Sequence, residues 1–255
     1  MNKMKKLLST LVLFGTLFAQ EEAAVAGWSW AGELSTDVTL GDTVSFGNPF
    51  TGLALGGEGW QLSSRLSDGG IEVEEAYYVV DAKVTSLTLG KQRVPYGLAT
   101  AWHRPSMNPF VSEPSVQTYA EGIGVSTDVM NVGVEAFYGN EEVYSTRFSY
   151  SVLDHSVGVS MNSDDGMLVD ASGKLAGMVT SYLQYDLSEE TSGDFWYRAV
   201  MAPAFTKGIS ILVGYSSVGD ETETMYGVGY NYGNVYVRSE LSTDGDMQVR
   251  ISHSF

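Results

Sequence analysis

Cysteine is absent, so neither a disulfide framework nor a thiolate metal site is open to this chain. Histidine is scarce, at three, which leaves little material for imidazole chemistry. Basic residues are outnumbered: 14 Lys and Arg face 31 Asp and Glu, for a net charge of −17, so nucleic acid is not an expected partner. Beyond the N-terminal segment no run approaches eighteen apolar residues, which excludes a transmembrane helix there. No sustained 3.6-residue apolar period appears either. What remains is rich in Gly (29) and Tyr (15) and alternates every second residue, the composition and period of an all-β chain.

The first residues read as an export signal. Lys3, Lys5 and Lys6 form a basic start, and Leu7 to Phe18 form an apolar core too short to span as a permanent helix. Ala24-Val25-Ala26 fits the small-x-small cleavage rule, so residues 1–26 are expected to be removed and residues 27–255 to form the mature domain; cleavage after Ala19 is the competitor. Removal takes away three Lys and two Glu, leaving 11 basic and 29 acidic residues and a net charge of −18.

Two-faced strands recur along the mature chain. Trp60, Leu62 and Leu66 alternate with Gln61, Ser63 and Arg65; Val132, Val134 and Ala136 with Gly133 and Glu135; Val235, Val237 and Leu241 with Tyr236, Arg238 and Glu240. A soluble barrel turns its apolar face inward, and a membrane barrel turns it outward. Period alone does not choose between them. Candidate strands of about ten residues match a tilted bilayer crossing, and aromatics gather at strand ends. The polar parity carries Arg65, Arg147, Arg198, Arg238 and Arg250 with Glu33, Asp37, Glu135, Glu223 and Glu240. A small soluble core does not bury that many charges, whereas a water-filled lumen accommodates them.

The expected fold is therefore all-β, a transmembrane antiparallel up-and-down β-barrel of about fourteen strands, with a range of twelve to sixteen. Gly41 to Gly59 holds either a short extra strand or a loop. Met167-Leu168-Val169 is a candidate short strand inside the acidic segment 162–174. The same segment, Asn162-Ser163-Asp164-Asp165-Gly166 with Asp170, offers oxygen atoms to a cation but lacks calcium-loop spacing, and no metal site is assigned. The chain ends in a strand carrying Met247, Val249, Ile251, His253 and Phe255 on one parity. A terminal Phe of this kind resembles the signal by which barrel-assembly machinery recognises outer-membrane barrels for insertion.

The most informative stretch is Ile71 to Pro114. Ala76, Tyr78 and Val80 form one apolar parity, Asp81-Ala82-Lys83 reads as a hairpin turn, and Leu87 and Leu89 continue in a second strand. After Arg93 the pattern stops, and Pro95, Pro105, Pro109 and Pro114 hold the chain in a long loop over residues 94–118. No acid lies between Ala82 and Val111, while Lys83, Lys91, Arg93 and Arg104 do, a basic island in an acidic chain. The order AYYVVDA, short turn, LTLGKQRVPYG, long loop resembles bacterial outer-membrane porins, in particular the phosphate-selective branch, of which this would be a short member. In such porins the loop folds inward and narrows the pore.

The resemblance implies passive diffusion of small hydrophilic solutes or ions in the bacterial outer membrane, with lipid and lipopolysaccharide as surroundings, and is compatible with a homotrimer. Lys91, Arg93, His103 and Arg104 are the expected constriction residues. Arg65, Glu135, Arg147, Arg198, Glu223, Arg238, Glu240 and Arg250 are the expected lumen-facing charges. No cofactor is implied. Asp154-His155 has no nucleophilic serine motif beside it and His253 falls on the apolar parity, so the chain is not expected to be an enzyme. The alternative function is a structural or adhesive barrel without an open pore.

Overall fold

The computed structural model describes residues 28–40, 44–46, 50–67, 70–98, 119–188, 193–243, 245 and 247–255. Residues 1–26, expected to be removed as an export signal, and most of the long loop lie outside them. The strands are β1 (Trp28–Leu40), β2 (Val44–Phe46), β3 (Phe50–Gly57), β4 (Trp60–Ser67), β5 (Gly70–Ala82), β6 (Thr85–Arg93), β7 (Tyr119–Val129), β8 (Val132–Gly139) and β9 (Tyr144–Val152). They continue as β10 (His155–Asn162), β11 (Met167–Leu175), β12 (Val179–Asp186), β13 (Phe195–Met201), β14 (Ile209–Val218), β15 (Glu221–Tyr232), β16 (Val235–Ser242) and β17 (Met247–Ser254).

Each strand pairs antiparallel with its neighbours in sequence, and β1 pairs with β17, so the sheet closes on itself. β2 and β3 both lie along β1, opposite Val38–Leu40 and Trp28–Ser35 respectively, and so make one interrupted strand. The result is a sixteen-stranded antiparallel barrel, the upper end of the expected range. The two strands beyond fourteen are that interrupted one and β11, the candidate strand at Met167, which extends to Leu175. Two boundaries move: the β5–β6 turn is Lys83-Val84, since Ala82 pairs with Thr85, and Leu175 belongs to β11 rather than β12.

The two faces are inverted relative to a soluble protein. Leu62, Val80, Ile123, Phe148, Val157, Ile211 and Val228 are exposed, while Ser160, Asp170, Gln184, Arg198, Arg238 and Glu240 are buried on the opposite parity. Closure satisfies the backbone between strands, and the exposed apolar parity is then suited to hydrocarbon. Exposed tyrosines sit at both ends of this band: Tyr138 and Tyr144 at the end of the β8–β9 connection, Tyr150, Tyr230 and Tyr232 at the other.

One irregularity repositions charge. The sequence Ile71-Glu72-Val73-Glu74-Glu75-Ala76 breaks alternation, because Val73 and Ala76 cannot share a face in a regular strand. The β4–β5 ladder resolves this with a register shift: Ser63 pairs with Glu75 and Ser64 with Val73, leaving Glu74 as the extra residue of a bulge.

Candidate functional site

Three groups of charged side chains occupy the buried face of the wall. The first gathers around the bulge. Arg65 lies 3.4 Å from Glu72 and 3.5 Å from Glu74, and Arg93 lies 3.6 Å from Glu75. Gln61 donates to Glu75 at 2.6 Å, and Arg93 donates to the Tyr119 hydroxyl at 3.2 Å. Lys91, expected at the constriction, stands instead on the outward parity with the exposed Leu89 and Ile123, opposite Ala76 and Glu121, and donates to the Val73 carbonyl at 2.5 Å. The sequence reading missed the three glutamates; the doubled Glu-Glu between apolar residues of opposite parity was their signal.

The second group is a triad across β8, β9 and β11. Arg147 donates to Asp170 at 2.7 Å and stands 3.7 Å from Glu135. Asp170 is fully buried, and Gly158 leaves the room for both partners, since a Cβ there would stand 2.5 Å from Arg147 and 2.7 Å from Asp170. Asp170 is thereby committed to Arg147. In the turn before it, Asn162 accepts from the Asp164 and Gly166 amides, so these residues form a self-capped turn.

The third group spans the closing seam. Arg250 of β17 makes a bidentate pair with Asp37 of β1, at 2.5 and 2.6 Å. Arg238 stands directly opposite Arg250, and Glu240 lies 3.6 Å from both Arg238 and Arg198. Gly227 and Gly229 serve close approach: a Cβ at the first would meet the Glu240 side chain, and at the second Ser210 and Tyr236. Glu223 accepts from Ser242 at 2.8 Å. The eight charges expected to face inward therefore fall on one parity, in three separate groups rather than one ring.

The chain leaving β6 turns into the barrel. Pro95's carbonyl accepts from Ser145 of β9 at 2.5 Å, the Gly97 amide donates to Ser160 of β10 at 2.9 Å, and the Leu98 amide donates to Gln184 of β12 at 3.0 Å. Tyr96 and Leu98 pack with Leu168 of β11, with Tyr182 alongside. Burial pushes the Tyr96 phenol up, and the phenol bonds to Ser188. Gly97 has φ of +58°, and a Cβ on it would stand 2.5 Å from Gln184. This strap thus crosses from one wall of the barrel to another three to six strands away. His103 and Arg104, expected at the constriction, lie outside the described residues.

Beside the strap's anchor the wall carries buried donors with no partner among the described residues: Gln184 Nε2, Trp196 Nε1, and Arg198 Nε and Nη1. Gln184 and Trp196 are cross-strand neighbours, and Leu98 fixes which end of the amide points away.

No family model matches this chain, and no curated protein matches it. Among solved structures, variants of the porin from Rhodopseudomonas blastica share its fold with 13% identity, covering 89% of this chain and 100% of theirs at TM-scores of 0.67 and 0.65. A loop-deletion variant of OmpT, an outer membrane protein of Vibrio cholerae, aligns at 14% identity and TM-score 0.58, over 89% of this chain and 98% of that one. At such identities the likeness is one of fold.

Proposed function

We propose that this protein is an outer-membrane porin through which small hydrophilic solutes diffuse passively, along an inner passage narrowed by residues 94–118. The observation that carries the reading is the strap: Pro95, Gly97 and Leu98 bond to three different strands of a distant wall inside a closed barrel. A chain folded into the barrel reduces its bore without stopping it up, which is how a diffusion channel sets a size limit. No bond is broken in such a process, so selection is by width and charge. Arg93 stands at the foot of the strap, and its pairing with Glu75 supports a fixed rather than a mobile charge there.

A second reading, a structural or adhesive barrel without an open pore, is favoured by one feature. Ser160, Asp170, Gln184 and Arg238 have no exposed surface, so part of the interior is tightly packed. Single-channel recording in a planar bilayer separates the two. Discrete conductance steps from the refolded barrel, with an exclusion limit for neutral polymers, are the expected result; a folded barrel with no conductance overturns the porin reading in favour of the second.

A further inference from the structure

Antiparallel pairing throughout sends successive connections to alternate ends of the barrel. The end that bears the β6–β7 strap also bears the β8–β9, β10–β11, β12–β13 and β14–β15 connections. Glu141, Glu142, Asp164, Asp165 and Asp220 are exposed there. No Lys or Arg occupies the described connection residues at that end. At the opposite end, where β1 begins and β17 ends, Glu58 and Asp154 are balanced among the described connection residues by Lys83 and Lys207.

The interior does not offset this difference. Arg65, Arg93, Arg147, Arg198, Arg238 and Arg250 each stand within ion-pair distance of a carboxylate on the same wall. Lys91 lies on the outward parity with Leu89 and Ile123, away from the interior. Paired charges on a wall largely cancel beyond their own contact distance, whereas an unpaired rim of one sign acts over a Debye length. That length is about 30 Å at 0.01 M salt, the width of a whole barrel mouth, and about 3 Å at 1 M.

We infer that the strap-bearing mouth concentrates small cations, and that the pore passes cations in preference to anions with a preference governed by the salt on that side alone. The inference rests on the porin reading and adds to it a substrate class and a direction. An unpaired arginine at the foot of the strap would favour anions, but Arg93 is held by Glu75.

The test needs a pore of known orientation, and the absence of native cysteine supplies one. A lone Asn140→Cys, at a neutral exposed position of the same end, changes current only when a membrane-impermeant thiol reagent reaches it from its own side. With orientation fixed, the potassium-to-chloride permeability ratio is read from reversal potentials in KCl gradients run in each direction. The expected result is a ratio several-fold above one when the strap-bearing side is dilute, approaching one when that side is at 1 M regardless of the other. Replacing Glu141 and Glu142 by Gln and Asp164, Asp165 and Asp220 by Asn should lower the dilute-side ratio at least about twofold while leaving conductance at 1 M unchanged. Equal ratios in both directions, no response to the five neutralisations, or a chloride preference would overturn the inference and leave the porin standing. A barrel whose heat-modifiable gel mobility shows it folded, yet which carries no current, would overturn both.

Discussion

The ring of Phe255, the last residue, lies over Gly32 in the space a side chain there would fill. The two residues also exchange backbone hydrogen bonds, Gly32 N to Phe255 O at 2.8 Å and Phe255 N to Gly32 O at 3.0 Å. Trp30 and His253 flank the ring at 5.7 and 6.1 Å between centroids. On the other face of the same seam Arg250 grips Asp37. The first and last strands are thus fastened by contacts that exist only once the barrel is closed.

Gly32→Leu should therefore act on closure. A side chain at position 32 has to evict the Phe255 ring, and overpacking of this kind costs about 1–3 kcal/mol. The expected outcome is a reduced yield of heat-modifiable barrel on refolding into lipid vesicles, with Ala31→Leu, on the opposite parity of the same strand, much less affected. Equal yields for the two variants would show that the Gly32 cavity is incidental.

Gly97→Ala should loosen the strap. The left-handed backbone at φ +58° costs an alanine about 1–2 kcal/mol, and its Cβ meets both Gln184 and Leu168. The Gly97–Ser160 and Leu98–Gln184 bonds would lengthen together. Single-channel conductance should rise, and current noise with it. Unchanged conductance would mean that residues 94–98 do not set the narrowest point.

The bulge at Glu74 makes a prediction about deletion. Removing Glu74 leaves Ser63 opposite Glu75 and Ser64 opposite Val73, so the register survives and Arg65 keeps Glu72. Removing Ala76 instead shifts every later residue of β5 to the wrong face, placing Tyr78 and Val80 inside. The first variant should refold to near the parent yield, and the second should fail. Failure of both would show that the bulge is required for closure.

Much of this was legible in the sequence, and the residues that escaped it share a cause. Periodicity of two exposed the strands from Trp60 onward and separated Arg147, Arg198 and Arg238 from the apolar parity. It did not decide the strand paired with β1, because Gly-rich residues 41–59 carry few side chains to show a face. Nor did it find Glu72, Glu74 and Glu75, since a bulge is the one device that defeats parity counting. The inward course of the loop came from resemblance, and its anchors at Ser145, Ser160 and Gln184 had no sequence signal: a serine or glutamine on the inner parity looks the same whether it holds a strap or water. Which charge meets which was out of reach for the same reason, as Arg147 chooses Asp170, 23 residues away, through register alone.

The triad at Arg147 yields the last prediction. Asp170 has no exposed surface and holds Arg147 at 2.7 Å, while Glu135, the other partner, is nearly half exposed and stands at 3.7 Å. Asp170→Asn removes the short charge-assisted bond and leaves a guanidinium, only 13% exposed, to the weaker partner. Breaking a buried pair from one side costs more than the pair contributes, here on the order of 2–4 kcal/mol. Glu135→Gln, which touches the exposed partner, should cost about 0–1 kcal/mol. Urea unfolding in lipid vesicles should order the midpoints as parent, Glu135→Gln, Asp170→Asn, with a clear gap before the last. The reverse order would place the weight of the triad on Glu135 and show that Asp170 is buried at a net cost.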